Sequence, residues 1–225
     1  MISAYKYETH VHTYPASACG CTSPEEAARD IASRGYVGMF VTDHFFNGNS
    51  GIERSLPWEE KIRQMADCYC RAKAEGDKLG LDVFFGFEYA SNGAEFLVYG
   101  LTDEFLYSHP DIMSLDICDA LALMRESGAF ITHAHPYRRA PHIAEPGRHF
   151  DGYIDAVEVY NACNGPDVND PAMIYAEECG LLKFSGSDNH FRGNVLSAGV
   201  FLEKRIATPA EFIEEIRAGR YELAY

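Results

Sequence analysis

Residues 8–13 read Glu8-Thr9-His10-Val11-His12-Thr13 and follow a short aromatic and apolar run near the start of the chain. The run over 4–8 predicts a strand, and in extended backbone residues two apart project to the same side. His10 and His12 therefore stand together at the strand's C-terminal end, where both imidazoles can serve one metal ion.

Outward from there, a strand end meets a chemically active side chain again and again. Further strands are expected at 37–42, 82–87, 95–99, 129–132, 156–159, 182–185 and 198–201, most of them apolar on both faces, as strands of a covered parallel sheet are. Between them, Ser23-Pro24-Glu25-Glu26 and Thr208-Pro209-Ala210-Glu211 each supply an N-cap hydroxyl, proline at the first helical position and a capping-box glutamate. Gly35 and Gly219 stand where the C-caps belong. Helices are also expected at 58–78, 115–126 and 171–178. This alternation predicts an α/β fold, and 225 residues fit one barrel-sized domain spanning 1–225.

Six of the nine histidines, His10, His12, His44, His133, His135 and His190, fall at or just past strand ends. A barrel of parallel strands gathers such ends at one mouth. A single histidine there is ordinarily a hydrogen-bonded core or surface residue; the joint placement of six points to a metal site. Asp43, Glu88 and Asp188 share the pattern. An unpaired carboxylate at a buried strand end costs several kcal/mol, so Glu88 and Asp188 call for cations, whereas Asp43 is expected to orient His44 or accept a backbone bond.

With ETHVHT, VTDH, GFEY, HAHPYR and GSDNH in this order, the chain resembles the PHP family, named for polymerase and histidinol phosphatase, over nearly its whole length. The resemblance implies a distorted TIM-like barrel of about seven β/α units, a site for two or three divalent ions (zinc, manganese or iron) and phosphoester hydrolysis. Carried over by motif, His10, His12 and Asp188 would hold one ion. Glu88 would bridge it to a second that takes His135, and His44 and His190 would hold the remaining one. His133, just before, would face substrate or support a ligand.

Two departures from the family pattern stand out. Where many members place a histidine or aspartate after the first motif, this chain has Cys19, a candidate thiolate ligand. Where many open the next strand with a histidine, it has Glu95-Phe96-Leu97, and Phe96 cannot coordinate, which leaves the third ion in question.

Ions roughly 3.5–4 Å apart can share a hydroxide that attacks phosphorus, and Arg138, matching the family's arginine, is expected to grip the phosphate. Arg192 and Asn161 are further substrate candidates, and the polar stretch 141–151, with His142 and His149, could form a lid. Tyr89, Tyr137 and Tyr160 carry no assigned role.

The formal charge of −15 disfavours extended nucleic-acid or anionic-membrane binding and leaves a small phosphorylated substrate as the expected partner. Seven cysteines without a Cys-x-x-Cys pair, and no apolar run long enough to span a bilayer, lead to the expectation of a cytoplasmic protein with reduced thiols. Three readings compete with a phosphoesterase: an amidohydrolase acting on an amide or nucleobase, a non-catalytic module stabilised by metal, and a nuclease.

Overall fold

The computed structural model describes residues 5–141, 143–190 and 197–225. In chain order its elements are β1 (Tyr5–Val11), α1 (Pro24–Ser33), β2 (Gly38–Val41), α2 (Trp58–Leu79), β3 (Asp82–Ser91), β4 (Ala94–Tyr99), α3 (Asp103–Ser108), α4 (Ile117–Glu126), β5 (Phe130–Ala134), β6 (Ala156–Asn161), α5 (Pro166–Cys179), β7 (Leu182–Gly186), β8 (Gly199–Leu202), α6 (Pro209–Arg217) and β9 (Tyr221–Ala224). The strands form one sheet in the order β7-β6-β5-β4-β3-β2-β1-β8-β9. The sheet curls until the ends of β1 and β7 nearly meet: His12 N donates to Asn189 O (3.0 Å) and Asn189 N to His10 O (3.1 Å). The expected α/β barrel is the fold.

The sheet is not parallel throughout. β4 runs antiparallel to both β3 and β5, and β8 runs antiparallel to β1 and β9. The cause at β4 is local. Asn92 (φ 51°) and Gly93 (φ 88°) link the two strands, and positive φ at both turn residues is the geometry of a tight hairpin. α3 and the edge strand β9, whose residues are mostly half-exposed or exposed, have no counterpart in the sequence reading.

Both capped helices form as their signals require. Ser23 and Glu26 close a capping box at α1, and Thr208 Oγ1 accepts from Glu211 N at α6. α5 begins at Pro166, five residues ahead of Pro171, which therefore lies inside the helix. Asn169 holds that early start by accepting from Asn161 N (3.1 Å) and donating to Asn161 O (3.2 Å).

Side-chain alternation divides the barrel into a floor and a mouth. Tyr7, Phe40, Tyr99, Phe130 and Phe184 project inward and pack with Phe212 of α6, which closes the floor. Phe40 meets the rings of Phe212 at 4.8 Å and Tyr99 at 4.9 Å. Strict alternation from Tyr7 would turn His10 and His12 outward. A bulge between Glu8 and Val11 in the pairing of β1 with β2 inserts one residue, so Val11 packs outside against Met39 and Val41 while the two histidines turn into the mouth. Among the described residues no helix is long and apolar enough to cross a membrane.

Candidate metal centre

The mouth brings His10, His12, His44, Glu88, His135, Asp188, His190 and Cys19 together. Four sets of donor atoms each lie within 4.8 Å of one another: His12, Cys19, His44 and His190; His10, His12 and Glu88; His10, His135 and Asp188; and His44, Glu88 and Glu95. The sets overlap at His10, His12, His44 and Glu88, so they describe adjoining cation positions with a carboxylate between them.

Residues beneath the site fix which ring nitrogen faces it. His10 Nδ1 meets Glu158 Oε1 at 2.9 Å, His12 Nδ1 meets Ser17 Oγ at 3.2 Å, and His190 Nδ1 meets the Asp188 carbonyl at 2.7 Å. Ser17 in turn donates to Asp43 Oδ1 (2.7 Å), and Asp43 also accepts from the Thr13 hydroxyl (2.7 Å). Asp43 thus supports His12 through Ser17 instead of joining the cluster. With Nδ1 of both His10 and His12 turned to these supports, their Nε2 atoms face each other at 3.0 Å, where they can share one proton or both ligate one cation.

The strongest sign of fit to metal is the set of atoms left without partners. Both carboxylate oxygens of Glu88, Asp188 Oδ1, His44 Nδ1 and His135 Nε2 are buried with no hydrogen bond. They crowd one another nonetheless: His44 Nδ1 lies 2.7 Å from Glu88 Oε2, and His135 Nε2 lies 3.3 Å from Glu88 Oε1, close enough for charge attraction but not aligned for hydrogen bonds. Buried polar atoms are normally satisfied, and imidazole with carboxylate is a donor set suited to zinc, iron or manganese.

Charge in the metal-free cluster is held in strained balance. Burial lowers the His44 pKa, but Glu88 outweighs it and raises the ring to about 11. Burial and then the nearby His44 push His12 down to about 3. Burial opposes ionisation of Glu88 and Asp188, yet His44 for the first and His10 for the second hold both carboxyls well below their usual range. Burial pushes the Cys19 thiol up, and hydrogen bonds with His190 and His44 bring it down to about 7. Divalent ions can replace protons on such an array, because metal binding selects deprotonated ligands.

The backbone is also unusual here. His135 (φ 27°) and Asp188 (φ 54°) occupy the left-handed region without being glycine, at a cost of about 1–3 kcal/mol each. Glu158 Oε2 restrains the first by accepting from His135 N at 3.0 Å. Gly186 makes this packing possible, since a Cβ there would come within 2.6 Å of both Glu158 Oε1 and His10 Cβ.

Other expected residues land differently. His133 does not reach the cluster: alternation along β5 turns it outward, where it stacks on Phe96 (4.9 Å) beside Phe150 (5.4 Å), and burial lowers its pKa to about 3. A catalytic or substrate-facing role is therefore replaced by core packing. Asn161 is fully buried and donates to Glu158 Oε2 (2.9 Å) and Asp188 Oδ2 (3.2 Å), so it positions carboxylates instead of lining the cavity. Arg138 hydrogen-bonds Asp188 Oδ2 and lines the cavity above the site. Arg192 and His142 lie outside the described residues.

Sequence reasoning passed over Glu8, Glu158, Glu95 and Arg54. Glu8 Oε1 accepts from His10 N (3.2 Å) and Ser187 N (2.9 Å), bracing the strand ends that carry ligands. Glu95 shares the inner face of β4 with Leu97 and Tyr99, whereas Phe96 and Val98 pack outside. Its oxygens lie 3.7 Å from His44 Nδ1 and 3.6 Å from His135 Nε2. The place left vacant by Phe96 is therefore faced by its neighbour, and the Asn92-Gly93 pair was the signal for the hairpin that puts Glu95 there. Above the ligands opens a cavity of about 650 Å³ lined by Cys19, His44, Glu95, Arg138, His190 and Arg54.

Comparisons with known proteins agree with the fold. The PHP-associated family matches residues 166–221. An uncharacterised protein of Methanocaldococcus jannaschii is 33% identical over 151 residues, 61% of each chain. In three dimensions the chain is similar to a Bacteroides vulgatus two-domain protein containing a predicted PHP-like metal-dependent phosphoesterase, with TM-score 0.72 and 17% identity over 99% of this chain and 65% of that one. A candidate metal-dependent phosphoesterase from Bifidobacterium adolescentis follows at TM-score 0.60 and 15% identity, covering 97% of both chains. An amidohydrolase from Chromobacterium violaceum, with sulfate and no metal bound, aligns at TM-score 0.54 and 14% identity over 96% of this chain and 97% of that one. The chain thus spans under two thirds of the length of the archaeal relative and of the Bacteroides protein.

Proposed function

We propose that this chain belongs to the PHP family and is a metal-dependent phosphoesterase that hydrolyses a small phosphorylated substrate at the barrel mouth. The observation that carries the reading is the convergence of partnerless buried donors on Glu88, Asp188, His44 and His135 beneath a cavity that Arg138 and Arg54 line. In this reading His10, His12, His44, Glu88, His135, Asp188 and His190 hold the ions, with Cys19 and Glu95 completing the set. Bound divalent ions would supply an acidified water as nucleophile and neutralise phosphoryl oxygens.

The chain's own residues do the rest. Glu158, Ser17 and the Asp188 carbonyl engage Nδ1 of the imidazoles so that Nε2 of each is turned to the cluster. Arg138 is anchored by Asp188 at one nitrogen, which leaves its remaining N–H groups to grip a phosphoryl oxygen. Arg54, exposed on the cavity wall and in no ion pair among the described residues, is available to the part of the substrate beyond the scissile bond.

An amidohydrolase of the kind that bridges its ions with a modified lysine fits less well: among the described residues no lysine lines the cavity above the ligands, and Glu88 occupies the shared position. The test is to load the protein with manganese or zinc and offer phosphomonoesters, phosphodiesters, amides and nucleosides in parallel. Phosphoester cleavage that a chelator abolishes supports the proposal. Chelator-resistant cleavage, or turnover confined to amides or nucleosides, would falsify it.

A further inference from the structure

A second group of ligand-type side chains lies on the outside of the barrel. His149, Asp151 and Cys179 each present a donor atom within 4.8 Å of the others. His149 Nδ1 stands 4.0 Å from Cys179 Sγ, near the separation of roughly 3.5 Å that zinc–nitrogen and zinc–sulfur bonds impose on two tetrahedral ligands.

Although exposed, the His149 ring is held in place. It stacks on Tyr175 with centroids 3.8 Å apart, and its Nε2 meets the Tyr137 hydroxyl at 3.2 Å. When Nε2–H donates to that oxygen, Nδ1 carries the lone pair and turns it toward the thiol. The supporting contact is built into the backbone: Gly147 (φ 80°) packs where a Cβ would stand 2.6 Å from the Tyr137 ring. Between His149 and Asp151, buried Phe150 anchors the segment, its N–H donating to Tyr175 Oη (2.8 Å) and its ring packing edge-on against Phe96 (5.0 Å).

We propose that His149 Nδ1, an Asp151 carboxylate oxygen and Cys179 Sγ form a peripheral site for zinc or a similarly thiophilic divalent cation, with solvent as fourth ligand. Imidazole, carboxylate and thiolate together favour zinc over manganese or magnesium. An ion there would tie the end of the 136–151 segment, which begins beside His135 and carries Arg138, to the C-terminal end of α5.

The test follows Cys179 itself and does not depend on the phosphoesterase reading. The full-length chain is titrated with zinc, and the rate of thiol alkylation is read peptide by peptide, with exposed Cys70 as internal control. The site predicts that zinc slows alkylation of Cys179 about tenfold or more, because a metal-bound thiolate is withheld from the reagent, and leaves Cys70 unchanged. Protection should vanish in His149→Ala. In Tyr137→Phe, which keeps the ring but removes the orienting hydroxyl, it should need about tenfold more zinc. Equal alkylation of Cys179 with and without zinc, or protection that survives both His149→Ala and Asp151→Asn, overturns the proposal.

Discussion

The floor and the mouth of the barrel are built from the same strands by the same alternation, yet they are opposites in energy. On the floor, Phe40, Tyr99, Phe130, Phe184 and Phe212 are fully buried and fill space against one another, with the Tyr99 hydroxyl donating to Thr9 O at 3.0 Å. In the mouth, Glu88, Asp188, His44 and His135 are also buried but keep donor atoms unsatisfied. The floor is complete with protein alone, whereas the mouth keeps buried donor atoms that the proposed cations would satisfy. Burial by itself therefore distinguishes nothing; what separates the two regions is whether buried groups find partners.

The largest expected effect is at the floor. Phe212→Ala should cost about 3–5 kcal/mol in unfolding free energy, measured by denaturant titration, while manganese bound per folded chain stays the same. Glu88→Gln should act at the mouth: phosphoester hydrolysis falls about a thousandfold, and the chelator-treated chain melts lower than wild type, because the buried His44 imidazolium loses the carboxylate that faces it at 2.7 Å. Unchanged hydrolysis by metal-loaded Glu88→Gln would break the contrast. Arg138→Ala should lower kcat/KM about a hundredfold with metal content kept. Glu95→Ala should weaken metal binding about tenfold, read by competition with a chelating dye, whereas Phe96→His should add no ion because that position faces outward. Smallest, Arg54→Ala should raise KM about tenfold and leave kcat unchanged, the signature of uniform substrate binding.

Much of this was legible in the sequence, for identifiable reasons. His10 and His12, Glu88, His135, Asp188 and His190 follow apolar runs, and in a barrel strand ends become neighbours whatever their separation along the chain. Legibility failed where facing depends on register. His133 and His135 are two apart and would share a face in a straight strand, but the chain leaves extended geometry at His135 (φ 27°) and the two diverge. Phe96 drew attention away from Glu95 because the direction of β4 depends on the Asn92-Gly93 turn, not on the strand's own residues. Glu158 lies within an apolar run and looks like an interruption of it; only closure of the barrel sets it beside His10. Arg54 belongs to a loop, and no periodicity in its neighbours points to the cavity.

The account is tested most directly by counting manganese on the purified chain after equilibrium dialysis, since manganese favours the carboxylate-rich mouth over a thiolate site. It predicts at least two ions per wild-type chain and the loss of at least one in Glu88→Gln. Less than one ion on wild type, or an unchanged count in Glu88→Gln, would contradict it.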